Sequence, residues 1–147
     1  MGKAQTEQEP VTNEQKELVQ TSWQKVVPIA DRAAMLFYDR LFEIDRSTQP
    51  LFRGSDMPEQ RKKLMQMIGV AVSGLDRVDA TLAAVAELGK RHGAYGVTDE
   101  HYDSVRAALL WTLEKGLGEQ FTPEVKEAWA TVYALLANTM KGVVAAV

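Results

Sequence analysis

Apolar residues recur every three or four positions along most of the chain, and no stretch alternates apolar and polar between turn signals, so the pattern predicts helices and no strands. Thr12 and Gln15 stand at capping-box spacing and open a helix over residues 13–27. Pro28 presets a second start, and residues 29–44 carry Ala30, Ala34, Tyr38 and Leu41 along one stripe. A compact, Pro-interrupted stretch follows over residues 46–53. The Gly54-Ser55-Asp56-Met57-Pro58 loop then launches a helix over residues 58–77, whose stripe is Gln60, Leu64, Ile68, Ala71 and Leu75. Residues 79–94 form another helix, which Tyr95-Gly96-Val97 breaks. Thr98 caps a helix ending near Gly116 and Gly118. Thr122-Pro123-Glu124 opens the last, with Val125, Trp129, Val132, Leu136 and Met140 at helical spacing. Residues 1–11 read as a disordered tail and residues 12–147 as one all-α domain.

At 147 residues, 46% hydrophobic and 25% charged, the chain has enough apolar side chains for one core of ordinary size. Seventeen basic residues against twenty acidic ones leave a net charge of −3, the wrong balance for tracking phosphates, so nucleic acid is not expected as a partner. The absence of cysteine excludes disulfides, thiolate nucleophiles, iron–sulfur clusters and thiolate-ligated haem. With His92 and His101 the only histidines, a site of several imidazoles is excluded too, and a cofactor held by one imidazole remains open. Residues 1–10 lack the apolar run of a secretory signal, and nowhere do about 18 apolar residues run together. The sequence therefore reads as a soluble, cytoplasmic protein with no membrane span.

Four residues carry candidate chemistry. His92 follows Leu82, Val85 and Leu88 on or beside an apolar helix face, where a ring nitrogen must find a partner; a satisfied core histidine is the plainer reading, a metal ligand the sharper one. Tyr38 lies in an apolar stripe, where its phenol needs a partner such as a backbone carbonyl. Gln60 is the polar member of its stripe and, alone, a solvated first-turn residue. Phe52 reads alone as a core aromatic beneath a loop.

The order of these residues adds a further observation. Leu36-Phe37-Tyr38-Asp39-Arg40-Leu41-Phe42, Pro50-Leu51-Phe52, Lys63-Leu64-Met65-Gln66 and Leu88-Gly89-Lys90-Arg91-His92-Gly93-Ala94-Tyr95-Gly96-Val97 resemble, in order and spacing, the single-domain bacterial globins related to flavohaemoglobins and neuroglobins. His101-Tyr102, Phe121-Thr122 and Ala128-Trp129 extend the resemblance over nearly the whole chain beyond the tail. It implies a globin fold holding haem b. In that frame His92 is the proximal iron ligand, Phe52 stacks on the porphyrin, and Tyr38, Gln60 and Leu64 form the distal wall. No histidine matches the distal position. His101 reads as a surface or capping residue at a helix start.

Departures from the family pattern narrow the reading. Tyr102 matches the tyrosine that supports the proximal histidine in flavohaemoglobins, but Val144 stands where their glutamate would be, so the relay is incomplete. Arg46 stands where the family usually has a proline, near the start of the third helix. No G-x-G-x-x-G occurs, so an electron donor is expected to be a separate reductase. Trp23, Trp111 and Trp129 read as helix-packing residues, Gly69 and Gly74 as allowing close helix approach, and Met65 with Met67 as core filler. Arg61, Lys62, Lys63, Lys90 and Arg91 read as solvated, with propionate pairing the alternative. The resemblance implies reversible binding of O₂, with CO and NO as further ligands, for oxygen storage, transport or sensing. An NO dioxygenase or pseudo-peroxidase is the enzymatic alternative, and a haem-free helical interaction module is the third.

Overall fold

Capping residues decide where the chain turns. In a computed structural model describing residues 11–77, 83, 85–87 and 98–141, the first helix, α1 (Asn13–Val26), opens where Gln15 N–H donates to Thr12 Oγ1 (3.0 Å). The Gln15 side chain accepts in return from Thr12 N–H (3.1 Å). These two bonds satisfy donors that a helix start otherwise leaves open. Pro28 lies in a 3₁₀ turn, Val27–Ile29, that re-aims the chain into α2 (Ala30–Ile44). A 3₁₀ segment, Arg46–Phe52, makes the following corner, and Asp56 caps α3 (Met57–Ser73). A further 3₁₀ turn, Gly74–Asp76, follows it.

Thr98 stands before α4 (Asp99–Leu117), and Thr122 caps α5 (Pro123–Lys141) by accepting from Val125 N–H (3.2 Å). Between α4 and α5 the chain turns through Gly118 at φ 58 and ψ −126, a backbone region that a side chain resists. The helix expected over residues 79–94 lies largely outside the described residues, though Ala83 and Val85–Glu87 are helical. His92, Lys90, Arg91, the Tyr95-Gly96-Val97 break, Val144 and the first ten residues also lie outside them.

The helices pack into two connected apolar clusters, with α2 across α4 and α1 against α5. The larger gathers Val19, Trp23, Leu113, Trp129 and Val132 from α1, α4 and α5, with Val72 and Leu75 from the α3 end. Trp23 and Trp129 meet at 6.1 Å between ring centres, and the Trp129 indole N–H donates to Ser22 Oγ (2.8 Å), which donates in turn to Leu18 O (2.7 Å). The indole thus fills the core without stranding a donor. The smaller cluster gathers Phe37, Tyr38, Leu41 and Ala108, with Phe42, Phe52, Met57 and Leu64 packed against it.

Several expectations are corrected. Val72 is fully buried late in α3, in the Trp23 cluster, while its neighbour Ala71 is half-buried. Met67 is 40% exposed, whereas Met65 packs on the core as expected of filler. A Cβ at Gly69 would meet Trp23 Nε1 at 3.6 Å, an ordinary contact, so no close approach depends on that glycine. Trp111 is a half-buried indole with the Arg40 guanidinium 5.0 Å and the Lys115 ammonium 5.5 Å from its ring centre, so its packing is partly cation–π. Of the two readings of His101, capping holds, since its Nδ1 accepts from Thr98 N–H, and the surface placement does not, since the ring is buried.

Candidate functional site

The smaller cluster brings together residues from four elements, α2, the Arg46–Phe52 corner, α3 and α4. Tyr38 sits on the buried face of α2 at 4% exposure, with Phe37 and Leu41 beside it. Its ring stands edge-on to Phe52 at 5.3 Å and 77° and tilts against Phe42 at 6.0 Å. Phe42 and Phe52 meet at 5.8 Å and close the group. Such aromatic pairs each contribute about 0.5–1.5 kcal/mol beyond their buried area.

Gln60 comes from the first turn of α3, where Asp56 accepts from Glu59 N–H through its carboxylate (3.3 Å) and from Gln60 N–H through its carbonyl (2.8 Å). This cap aims the Gln60 amide at α2, and its Nε2–H donates to Tyr38 Oη at 3.4 Å. The phenol therefore accepts from an amide instead of donating to a backbone carbonyl. Among the described residues no acceptor takes the Tyr38 proton. Burial pushes the Tyr38 pKa up, and the bond from Gln60 offsets that only in part. The upward shift favours the protonated phenol, the form that can donate. Leu64 lies one turn beyond Gln60 and packs against the same cluster.

The corner that carries Phe52 is built on Asp45. Its carboxylate accepts from Ser47 N–H (3.0 Å) and Ser47 Oγ–H (2.6 Å), and its carbonyl accepts from Thr48 N–H (3.1 Å) and the buried Thr48 hydroxyl (2.7 Å). The far end closes through Arg53 N–H on Pro50 O and Ser55 N–H on Phe52 O. Across to α4, Ser104 Oγ–H donates to the other Asp45 oxygen (2.6 Å), and Ser47 Oγ lies 3.0 Å from His101 Nε2. The bonds from Ser104 and Ser47 hold the Asp45 carboxyl below its ordinary pKa. Sequence reading missed this network. Its signal was the run Asp45-Arg46-Ser47-Thr48, an acidic cap before hydroxyl residues.

Beside the ring group lies a cleft of about 440 Å³ lined by Phe42, Arg46, Gln49, Pro50, Phe52, Arg53 and Met57. Two aromatic rings and two arginines belong to its lining. Among the described residues no group of three metal-binding side chains occurs. His101 engages both ring nitrogens, Nδ1 with Thr98 N–H (3.0 Å) and Nε2 with Ser47, and so has no nitrogen left for a metal. The structure thus brings Tyr38, Gln60, Phe52 and Leu64 together, while His92 falls outside the described residues.

Among the described residues no helix is long and apolar enough to cross a membrane. The globin family model matches residues 35–140. An anaerobic nitrite reductase, HBII, of Casuarina glauca is 30% identical over 88% of this chain and 90% of its own length. A second, NSHB5 of Oryza sativa subsp. indica, is 31% identical over 86% of this chain and 91% of its own. The neuroglobin of Danio rerio is 29% identical over 90% of this chain and 91% of its own.

Proposed function

Because the chain belongs to the globin family, and so takes haem as cofactor and small gases as ligands, we propose that it binds O₂ reversibly at haem b, with His92 as the proximal ligand. The observation that carries this reading is the Tyr38 hydroxyl, a buried donor with no acceptor among the described residues, set in a wall of Phe37, Phe42, Phe52 and Leu64. A donor aimed into an apolar space suits a guest that brings an acceptor. When bound, haem would supply an iron centre able to bind a diatomic gas, and His92 would hold it.

In this reading each side chain has a separate task. Tyr38 donates a hydrogen bond to the guest, and Gln60 orients the phenol through its own N–H and adds a second donor when its amide turns. Leu64 narrows the distal space, and Phe52 gives the cofactor an aromatic face to stack on. The apolar wall keeps water from competing for the Tyr38 proton. With two donors near one guest, O₂ should leave slowly, which suits storage or sensing better than bulk delivery. CO and NO enter the same space and draw less on the donors.

Relatives named as nitrite reductases favour a second reading, redox turnover at the same site. Reduction of nitrite to NO and water takes one electron and two protons, the electron coming from a separate reductase. NO dioxygenation and peroxidase chemistry carry the same demand for an outside donor. The deciding experiment cycles the reduced protein between argon and air while recording its absorption, then adds NO or nitrite with a reductant. Reversible oxygenation over many cycles, with no catalytic consumption of NO or nitrite, supports O₂ binding. Many turnovers per protein would support the enzyme.

A further inference from the structure

The chain opens two helices with a threonine and a polar residue three positions on, and the two starts differ in a way that points to a task for His101. At α1 the Gln15 side chain accepts from Thr12 N–H, and among the described residues no bond from it leads on to another element. At α4 the same place is filled by His101, whose Nδ1 accepts from Thr98 N–H at 3.0 Å. Accepting at Nδ1 leaves the neutral ring with its proton on Nε2. That proton points at Ser47 Oγ, 3.0 Å away across the boundary between α4 and the corner. Ser47 Oγ–H in turn donates to Asp45 at 2.6 Å, so each donor along the line from Thr98 to Asp45 has an acceptor. Ser104, one turn further along α4, makes a parallel bridge to the second Asp45 oxygen at 2.6 Å.

We propose that His101 is a positioning residue for the pocket: as the Nε2–H tautomer it clamps the Arg46–Phe52 corner, through Ser47 and Asp45, onto the first turn of α4, and so sets where the Phe52 ring stands against Tyr38. The clamp is short enough for this. Ser47 and Phe52 lie within one seven-residue 3₁₀ segment that is pinned at its start by Asp45 and by the buried Thr48. Fixing Ser47 leaves Phe52 little room to shift. A glutamine in this place would offer the same acceptor and an N–H beside it, but on a more flexible side chain. The imidazole adds a rigid second arm, and its burial at 8% exposure keeps water from replacing that arm. The clamp also ties the corner to a helix that begins seven residues beyond His92, so the two histidines serve the pocket by different routes, one to the cofactor and one to the corner.

The test uses the full chain carrying its cofactor, in the diamagnetic CO form at neutral pH. Nitrogen shifts of His101 should report a proton on Nε2 and none on Nδ1. Ser47→Ala removes the second arm and leaves the cap. Ser47 Oγ then neither pairs with His101 nor donates to Asp45, so amide exchange over residues 48–53 should speed up about thirtyfold, as expected for two lost hydrogen bonds, while exchange in the first turn of α4 stays as it was. His101→Ala should loosen both places. His101→Gln keeps an acceptor for Thr98 N–H and an N–H beside it for Ser47, and should restore most of the protection. A proton on Nδ1, an unchanged corner in Ser47→Ala, or no rescue by glutamine would each overturn the proposal. If His101→Ala does not fold, the nitrogen shifts and the Ser47 variant still decide it.

Discussion

Replacing Tyr38 by phenylalanine separates the folding role of this side chain from its role in binding. The ring remains, with its contacts to Phe37, Phe42 and Phe52 at 5.1, 6.0 and 5.3 Å between centres. What disappears is one hydroxyl whose partner is the Gln60 amide at 3.4 Å, the long end of hydrogen-bonding distance. Losing so weak a bond costs under about 1 kcal/mol, and Gln60 is half-buried, so its amide can turn to water. Stability should therefore hardly change. Binding should change far more. O₂ held in the pocket carries partial negative charge and accepts a partly charge-assisted bond from the phenol, worth about 1.5–3 kcal/mol. At about 1.4 kcal/mol per factor of ten, O₂ release should quicken about ten- to hundredfold. The assay is stopped-flow O₂ and CO dissociation from the wild type, Tyr38→Phe, Gln60→Leu and the double variant, beside urea unfolding of each. CO should respond much less than O₂. Equal acceleration of both gases would show that the pocket acts by steric access, and an unmoved O₂ rate in all three variants would refute the donor role.

Two further outcomes follow from the same geometry. Asp45 has a folded pKa below its ordinary value, so its stabilising contribution is present above the ordinary carboxylate pKa, about 3.9, and fades as pH falls through the lower folded value. Asp45→Asn should thus unfold at lower urea than the wild type from pH 5 to 7, with the gap closing below about pH 4; a gap independent of pH would contradict the account. Leu41, 2% exposed within the Tyr38 cluster, should cost about 2–5 kcal/mol when cut to alanine, measured by urea unfolding, and a loss under about 1 kcal/mol would mean that the cluster is not a packed core.

Helix starts were legible in the sequence because capping is local chemistry. Thr12 with Gln15, Pro28, Asp56 before Pro58, Thr98 and Thr122 each act within a turn or so of their own position, and each marks a helix start or the turn beside it. Tyr38, Gln60, Leu64 and Phe52 could be grouped only through family resemblance, since nothing in the spacing of residues 38, 52 and 60 says that three elements converge. The exposure of Met67 and the burial of Val72 depend on how α3 rotates against Trp23, which a period of 3.6 residues leaves undecided. His101 shows the limit most clearly. Its place at a helix start was readable, but its second arm reaches Ser47, 54 positions away, and long-range pairing of single polar groups leaves no periodic trace.

The central claim, that one imidazole holds haem and the opposite face stays open to gases, is tested most directly by absorption spectra of the ferrous protein, alone and under CO, for the wild type, His92→Ala and His101→Ala. The account predicts a five-coordinate ferrous spectrum that shifts fully under CO in the wild type, the same pair of spectra in His101→Ala provided it folds, and loss of the native spectrum in His92→Ala. A six-coordinate ferrous spectrum in the wild type, or a native spectrum retained in His92→Ala, would contradict it.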